Sequence, residues 1–214
     1  MKLPFTPEQF LAVFAAYNQA IWPGQIVAYA VALFSVAAVV WRMGGASRLA
    51  SISLVLMWIV NGAAYHWLQF SRINPAAWGF GGLFLLGALF FLWHGVITGR
   101  LTYSFRLSVL PLTGAAMMVY AALVYPIIGS MSGHGWPHSP LLGVAPCPTT
   151  IFTFGLLCWA DTKVPWMVLI IPFIWAIIGF SAAIYLGIYE DIALLISAVV
   201  TVASLAMRNF RRSS

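Results

Sequence analysis

Six stretches of this chain are about as long as a bilayer is thick and nearly free of charge: Gln25–Trp41, Leu49–Phe70, Ala76–Ile97, Phe105–Gly129, Pro165–Gly187 and Ile192–Met207. Arg106, at the very edge of the fourth, is the one charged residue in any of them. A crossing helix needs roughly 20 predominantly apolar residues. In lipid its backbone groups must be satisfied within the segment, which a helix does and an open strand does not. The composition agrees. A soluble domain carries about 25% charged residues, and here the share is 7% against 63% hydrophobic. Ten basic and four acidic side chains cannot keep the surface of 214 residues wet. The expectation is an all-α integral membrane protein, one polytopic domain over 1–214, with the lipid bilayer as its main partner.

A seventh segment is short. Thr149–Ala160 has 12 residues, or about 18 Å at ~1.5 Å per residue, against a hydrocarbon core of roughly 30 Å. It follows "PLLGVAPCP", where Pro140, Pro146 and Pro148 argue for extended backbone before the helix begins. Basic residues decide whether this segment crosses. With the N-terminus outside, Arg42, Arg48, Arg100, Arg106, Lys163, Arg208, Arg211 and Arg212 fall inside, and only Lys2 and Arg72 fall outside. Eight against two is the asymmetry of the positive-inside rule. Without the short crossing, Lys163 and the C-terminal arginines would lie on opposite faces. The reading is a seven-transmembrane-helix bundle, N-out and C-in, whose fifth span is broken. Broken backbone at membrane depth survives only inside protein or beside water, so this span belongs at the centre. Its helical N-terminus, with Thr149 and Thr150, then points at a site, as in many transporters.

Ahead of the first span, "TPEQFLAVFAAYNQAIWPG" carries a helix-start signal. Thr6 and Gln9 make a capping box, and Pro7 suits the first turn. Phe10, Phe14 and Tyr17 recur at helical spacing while Gln9, Asn18 and Gln19 interrupt. This reads as an amphipathic helix over 6–22 in the outer interface, closed by Pro23-Gly24. Trp22, Trp41, Trp67, Trp78, Trp93, Trp136, Trp159 and Trp166 recur near the proposed boundaries as an aromatic belt. The N-terminus lacks the pattern of a cleaved signal, so the chain is taken as full length.

Chemistry-bearing residues are few. The spans hold no paired carboxylates, and neither G-x-S-x-G nor H-E-x-x-H occurs, which points away from an enzyme, and no catalytic residue is assigned. Acidic groups missing from the spans argue against carboxylate-driven proton coupling and voltage sensing. The scattered basic residues form no nucleic-acid stripe. Candidate ligand-binding residues are Asn61, Tyr65 and His66 near the outer end of the second span, with Cys147, Thr149 and Thr150 at the break. Asn61 and Tyr65, four apart, are expected on one helix face. His134, His138 and Cys147 have side chains that zinc or copper would accept. No other cofactor is expected. Glu190 and Asp191 read as dipole-stabilising acids ahead of the last span. Gly179, Ala183 and Gly187, at every fourth position, read as a close-packing ridge. Cys147 and Cys158 stand 11 positions apart, about 16 Å in a helix, which no disulfide bridges. The functional expectation is a small-solute permease or channel with its site at the broken span. The alternatives are a metal-binding membrane enzyme or sensor, and a structural subunit of a membrane complex.

At "LPFTPEQFLAVFAAYNQAIWP", "AYHWLQFSRINPAA", "HGWP" with "GVAPCPTTIFTFGLL", and "GFSAAIYLGIYED", the chain resembles a bacterial multi-pass family of unknown function, domain-of-unknown-function family 6064. The likeness runs along almost the whole chain, and the cysteine motif is its most specific part. It implies a protein of the bacterial inner membrane and assigns no residue a role.

Overall fold

The structure is a computed structural model that describes residues 4–211, with side chains up to Arg208. Lys2 and Arg212 therefore lie outside the described residues. Among the described residues there are nine α-helical segments: α1 (Pro7–Ala20), α2 (Gly24–Val40), α3 (Ala46–Ile59), α4 (Ala77–Phe91), α5 (Val109–Val119), α6 (Tyr125–Met131), α7 (Pro146–Leu157), α8 (Trp166–Leu186) and α9 (Ile192–Arg211). Three wider π-helical stretches extend the rods. Val60–Trp67 continues α3, Leu92–Ile97 continues α4, and Tyr120–Val124 joins α5 to α6. Among the described residues there is no strand, only a single bridge between Tyr103 and Ala160.

Among the described residues five continuous helices are long and apolar enough to cross a membrane: Ala46–Arg72, Ala77–Ile97, Val109–Met131, Trp166–Leu186 and Tyr189–Arg208. A sixth arises if α1 and α2, bent by 85°, count as one. Their outward faces are apolar, with Leu33, Leu89, Leu123 and Ile184 each more than half exposed. Such a surface belongs in lipid, and the chain is a multi-pass membrane protein. Six of the eight belt tryptophans are well exposed, while Trp159 is buried. Its indole N–H instead donates to the Pro111 carbonyl at 2.8 Å.

The capping box forms as the sequence predicts. Thr6 Oγ1 accepts from Gln9 N at 3.3 Å, and Gln9 Oε1 accepts from Thr6 N at 2.9 Å. Thr6→Ala is expected to cost the helix about 1 kcal/mol. Amide hydrogen exchange at Gln9 should quicken accordingly, and an unchanged rate would show that the box carries no weight. The break at Pro23-Gly24 is real, and Asn18 does more than interrupt an apolar face. Its side chain is buried and donates to the carbonyls of Pro137 at 2.7 Å and Ser139 at 2.9 Å, while Gln25 Nε2 donates to Asn18 O. The elbow between α1 and α2 is thereby tied to the α6–α7 loop.

The short segment differs from expectation in register. The helix begins at Pro146, three residues before Thr149, and ends at Leu157. Prolines at the first and third helical positions cost nothing, because first-turn amides have no intrahelical acceptor. Ala145 is the extended N-cap, so Cys147 stands on the first helical turn. The segment is central as predicted: apart from Cys147 every residue of α7 is buried. It packs on α3, α5, α8 and α9.

α7 also runs between the two ends of the bundle. At its C-terminal end Ser104 N donates to Trp159 O at 2.8 Å, Asp161 N to Thr102 O at 2.9 Å, and Thr162 Oγ1 to Arg100 O at 2.8 Å. Arg208 closes the same end by donating to the carbonyls of Ala160 and Thr162. Arg42, Arg48, Arg106 and Lys163 lie on the segments gathered there, and Arg72 lies on the turn after α3 at the other end.

Candidate functional site: a cavity at the head of α7

The π-helical stretch after α3 sets up the site. Its i→i+5 bonding, seen in Leu68 N to Ala63 O at 3.1 Å, widens the turn. Asn61 and Tyr65 stand one turn apart on this stretch and reach different neighbours. Tyr65 turns toward α1, its ring stacked 4.8 Å from Phe14. Asn61 turns toward α7 and the loop before it, donating to the carbonyls of Met57 at 2.8 Å and Gly143 at 3.3 Å and to Thr149 Oγ1 at 3.3 Å.

Thr149 and Thr150 are fasteners. Thr149 Oγ1 donates to Ala145 O at 2.7 Å and accepts from Gly143 N at 2.9 Å. Thr150 Oγ1 donates to Pro146 O at 2.8 Å. One turn on, Thr153 accepts from Trp58 Nε1 at 3.0 Å. Asn61, Thr149 and Thr150 bond the loop to the first turns of α7 and do not face an open space.

Tyr65, His66 and Cys147 do. They line a cavity of about 410 Å³ between α1, the π-helical end of α3, the head of α7 and the second half of α8. Its walls are largely aromatic, with Phe10, Phe14, Phe70, Phe80 and Trp175 among them. The His66 ring is fully buried against Phe84 and Trp175, each 5.0 Å away between ring centres. Neither of its ring nitrogens has a hydrogen-bond partner. Gly179 lines the cavity and lets α8 pack close on α9: a Cβ there would sit 2.7 Å from Leu194 Cδ2.

Two residues read from sequence as helix-dipole acids belong to this region instead. Gly187 adopts a left-handed conformation, φ 70°, and ends α8, so it is a C-cap and not the last step of a packing ridge. The chain then turns through a short 3₁₀ segment, Tyr189–Asp191, that sends both carboxyls into the bundle. Asp191 Oδ1 accepts from Tyr125 OH at 2.5 Å, the Cys147 thiol bonds to the same carboxyl group, and Asp191 lines the cavity. Glu190 is fully buried with Oε1 2.6 Å from His134 Nε2, and its backbone carbonyl accepts from Tyr120 OH. Sequence reasoning missed Asp191, Tyr125 and Trp175. The adjacency of Glu190 and Asp191 to a glycine-terminated helix was the available signal, but their direction depends on the turn.

His134, His138 and Cys147 are placed separately. His134 pairs with Glu190, His138 is exposed with its backbone N–H donating to Gly135 O, and Cys147 faces Asp191. Among the described residues no three His, Cys, Asp or Glu side chains form a group able to hold a metal ion. Both cysteines are free.

Neither the curated proteins nor the solved structures contain a match to this chain. The sequence profile of a family of unknown function, DUF6064, matches residues 7–214. Nearly the whole described fold, from the first residue of α1 onward, falls within that match, and the chain belongs to the DUF6064 family.

Proposed function

We propose that the protein is a carrier for a small solute, and that the cavity at the head of α7 is its binding site. The observation that supports this reading most is a cavity at the head of a short, largely buried helix, walled by a histidine whose two ring nitrogens have no partner. Buried polar atoms are normally satisfied, so a ligand group that reaches His66 would complete the site. Short helices that begin inside a bundle form the substrate sites of many secondary transporters. α7, with eleven of its twelve residues buried, has that form. The topology we assign is seven crossings, N-out and C-in, in the bacterial inner membrane, with α1 in the outer interface and α7 as the fifth crossing. The clustering of Arg42, Arg100, Arg106, Lys163 and Arg208 at one end supports it.

The test uses Cys147. In a Cys158→Ala background, a membrane-impermeant thiol reagent should label Cys147 in spheroplasts and fail to do so in inverted vesicles. In proteoliposomes, uptake from a panel of radiolabelled amines, amino acids and sugars should exceed that of empty vesicles for at least one solute. Cys147→Trp, which fills the cavity, should reduce that uptake by about tenfold or more. Uptake that survives Cys147→Trp unchanged would remove the cavity from the pathway, and labelling from the inner side alone would invert the topology.

A further inference from the structure

Asp191 is a carboxyl group at 5% exposure that lines the cavity, and the described residues bring no cationic side chain to it. Its neighbours are the Tyr125 hydroxyl and the Cys147 thiol, which are neutral donors. Glu190, next in the chain, has His134. His66, the histidine in the wall, bonds to nothing through either nitrogen and is not the partner of Asp191. A buried carboxylate is costly without a positive charge beside it. The rest of the wall is the surface that attracts organic cations. Phe5 stands edge-on to Phe70 at 5.3 Å, Phe10 to Phe14 at 5.2 Å, and Tyr65 stacks on Phe70 at 5.7 Å. Aromatic rings attract ammonium groups through the negative pole of their quadrupoles, more strongly where water is excluded.

We infer that the solute is a lipophilic organic cation: an ammonium group seated against Asp191, with an apolar body among the aromatic rings. This rests on the carrier reading above and narrows it to one class. An anion would meet the carboxyl group unfavourably. A neutral apolar molecule would fill the space and give the Asp191 carboxyl no counterpart. The volume of about 410 Å³ suits a body of one or two rings.

The experiment is calorimetric titration of the full-length protein in lipid nanodiscs with benzyltrimethylammonium and with its neutral carbon isostere, neopentylbenzene. The cation is expected to bind about tenfold tighter or more than the isostere. Asp191→Asn is expected to abolish that preference by weakening the cation alone. Equal affinities of the two probes for the wild-type protein would overturn the cation assignment and leave the cavity reading intact. So would cation binding that Asp191→Asn leaves unchanged. Binding of neither probe would count against the cation assignment and the cavity as a site together. The comparison of the two probes on the wild-type protein stands even if Asp191→Asn fails to fold.

Discussion

Replacing Gly114 or Gly155 by valine is expected to leave little folded protein. The two glycines face one another where α5 meets α7. A Cβ on Gly114 would lie 2.4 Å from the Gly155 carbonyl oxygen, and a Cβ on Gly155 would lie 2.6 Å from the Gly114 carbonyl oxygen. The obstacle is backbone, which cannot turn aside as a side chain can. In lipid the helices are held by close van der Waals packing, because burial from lipid brings no hydrophobic gain, and small residues permit that approach. α7 is too short to span the hydrocarbon as a free helix, so it depends on this contact together with the hydrogen bonds made at its two ends. Overpacking of this kind costs about 3 kcal/mol or more per site. The measurement is the midpoint of unfolding in mixed detergent micelles, read by tryptophan fluorescence and by elution profile. The two substitutions disturb one contact, so the double variant should lose clearly less than the sum of the singles. Valine variants with an unchanged midpoint would mean that α5 and α7 do not approach this closely.

His134→Ala is expected to cost the protein about 3 kcal/mol. Glu190 has no exposed surface, and of its two oxygens only Oε1 has a partner, His134 Nε2 at 2.6 Å. Removing the imidazole leaves a carboxyl group buried with nothing to bond it. Gly129 closes the other side, where an added Cβ would stand 3.0 Å from Glu190 Oε1, so the site has little room to relax. The double variant His134→Leu with Glu190→Gln should recover a good part of the loss, since it removes the buried acid along with its partner. The same unfolding midpoints test this. Full stability in His134→Ala, or a double variant worse than the single, would mean that the pair is not what fixes the α6–α7 loop to the start of α9.

Residues of the candidate site divide by how local their geometry is. Cys147 was legible because its two flanking prolines mark a helix start, although they sit within the first turn and not ahead of it. His66 and Tyr65 were legible as polar groups near the end of an apolar run. Asn61 was legible as a polar group on the same run, but its partners, the Gly143 carbonyl and Thr149 Oγ1, come from 82 and 88 positions further along the chain. Asp191 was hidden by its position. An acid ahead of a helix ordinarily faces water and the dipole, and only the left-handed turn at Gly187 followed by one 3₁₀ turn sends it inward.

By itself the sequence determined the medium and the rods. Charge-poor apolar runs have no stable place outside lipid, and a helix is the form in which such a run satisfies its own backbone. Thr6 with Gln9, and Pro23 with Gly24, determined where the first helix starts and stops, because capping and proline geometry act within four residues. Only the tertiary structure decided which of these helices touch and what they enclose. The Gly114–Gly155 contact joins residues far apart in the chain, the His134–Glu190 pair bridges α6–α7 and α9, and the cavity draws its walls from α1, α3, α7 and α8. In a bilayer the apolar faces of the rods differ little in hydrophobicity, so their partners are selected by close-fitting glycines and a few buried hydrogen bonds, which become visible once the helices are assembled.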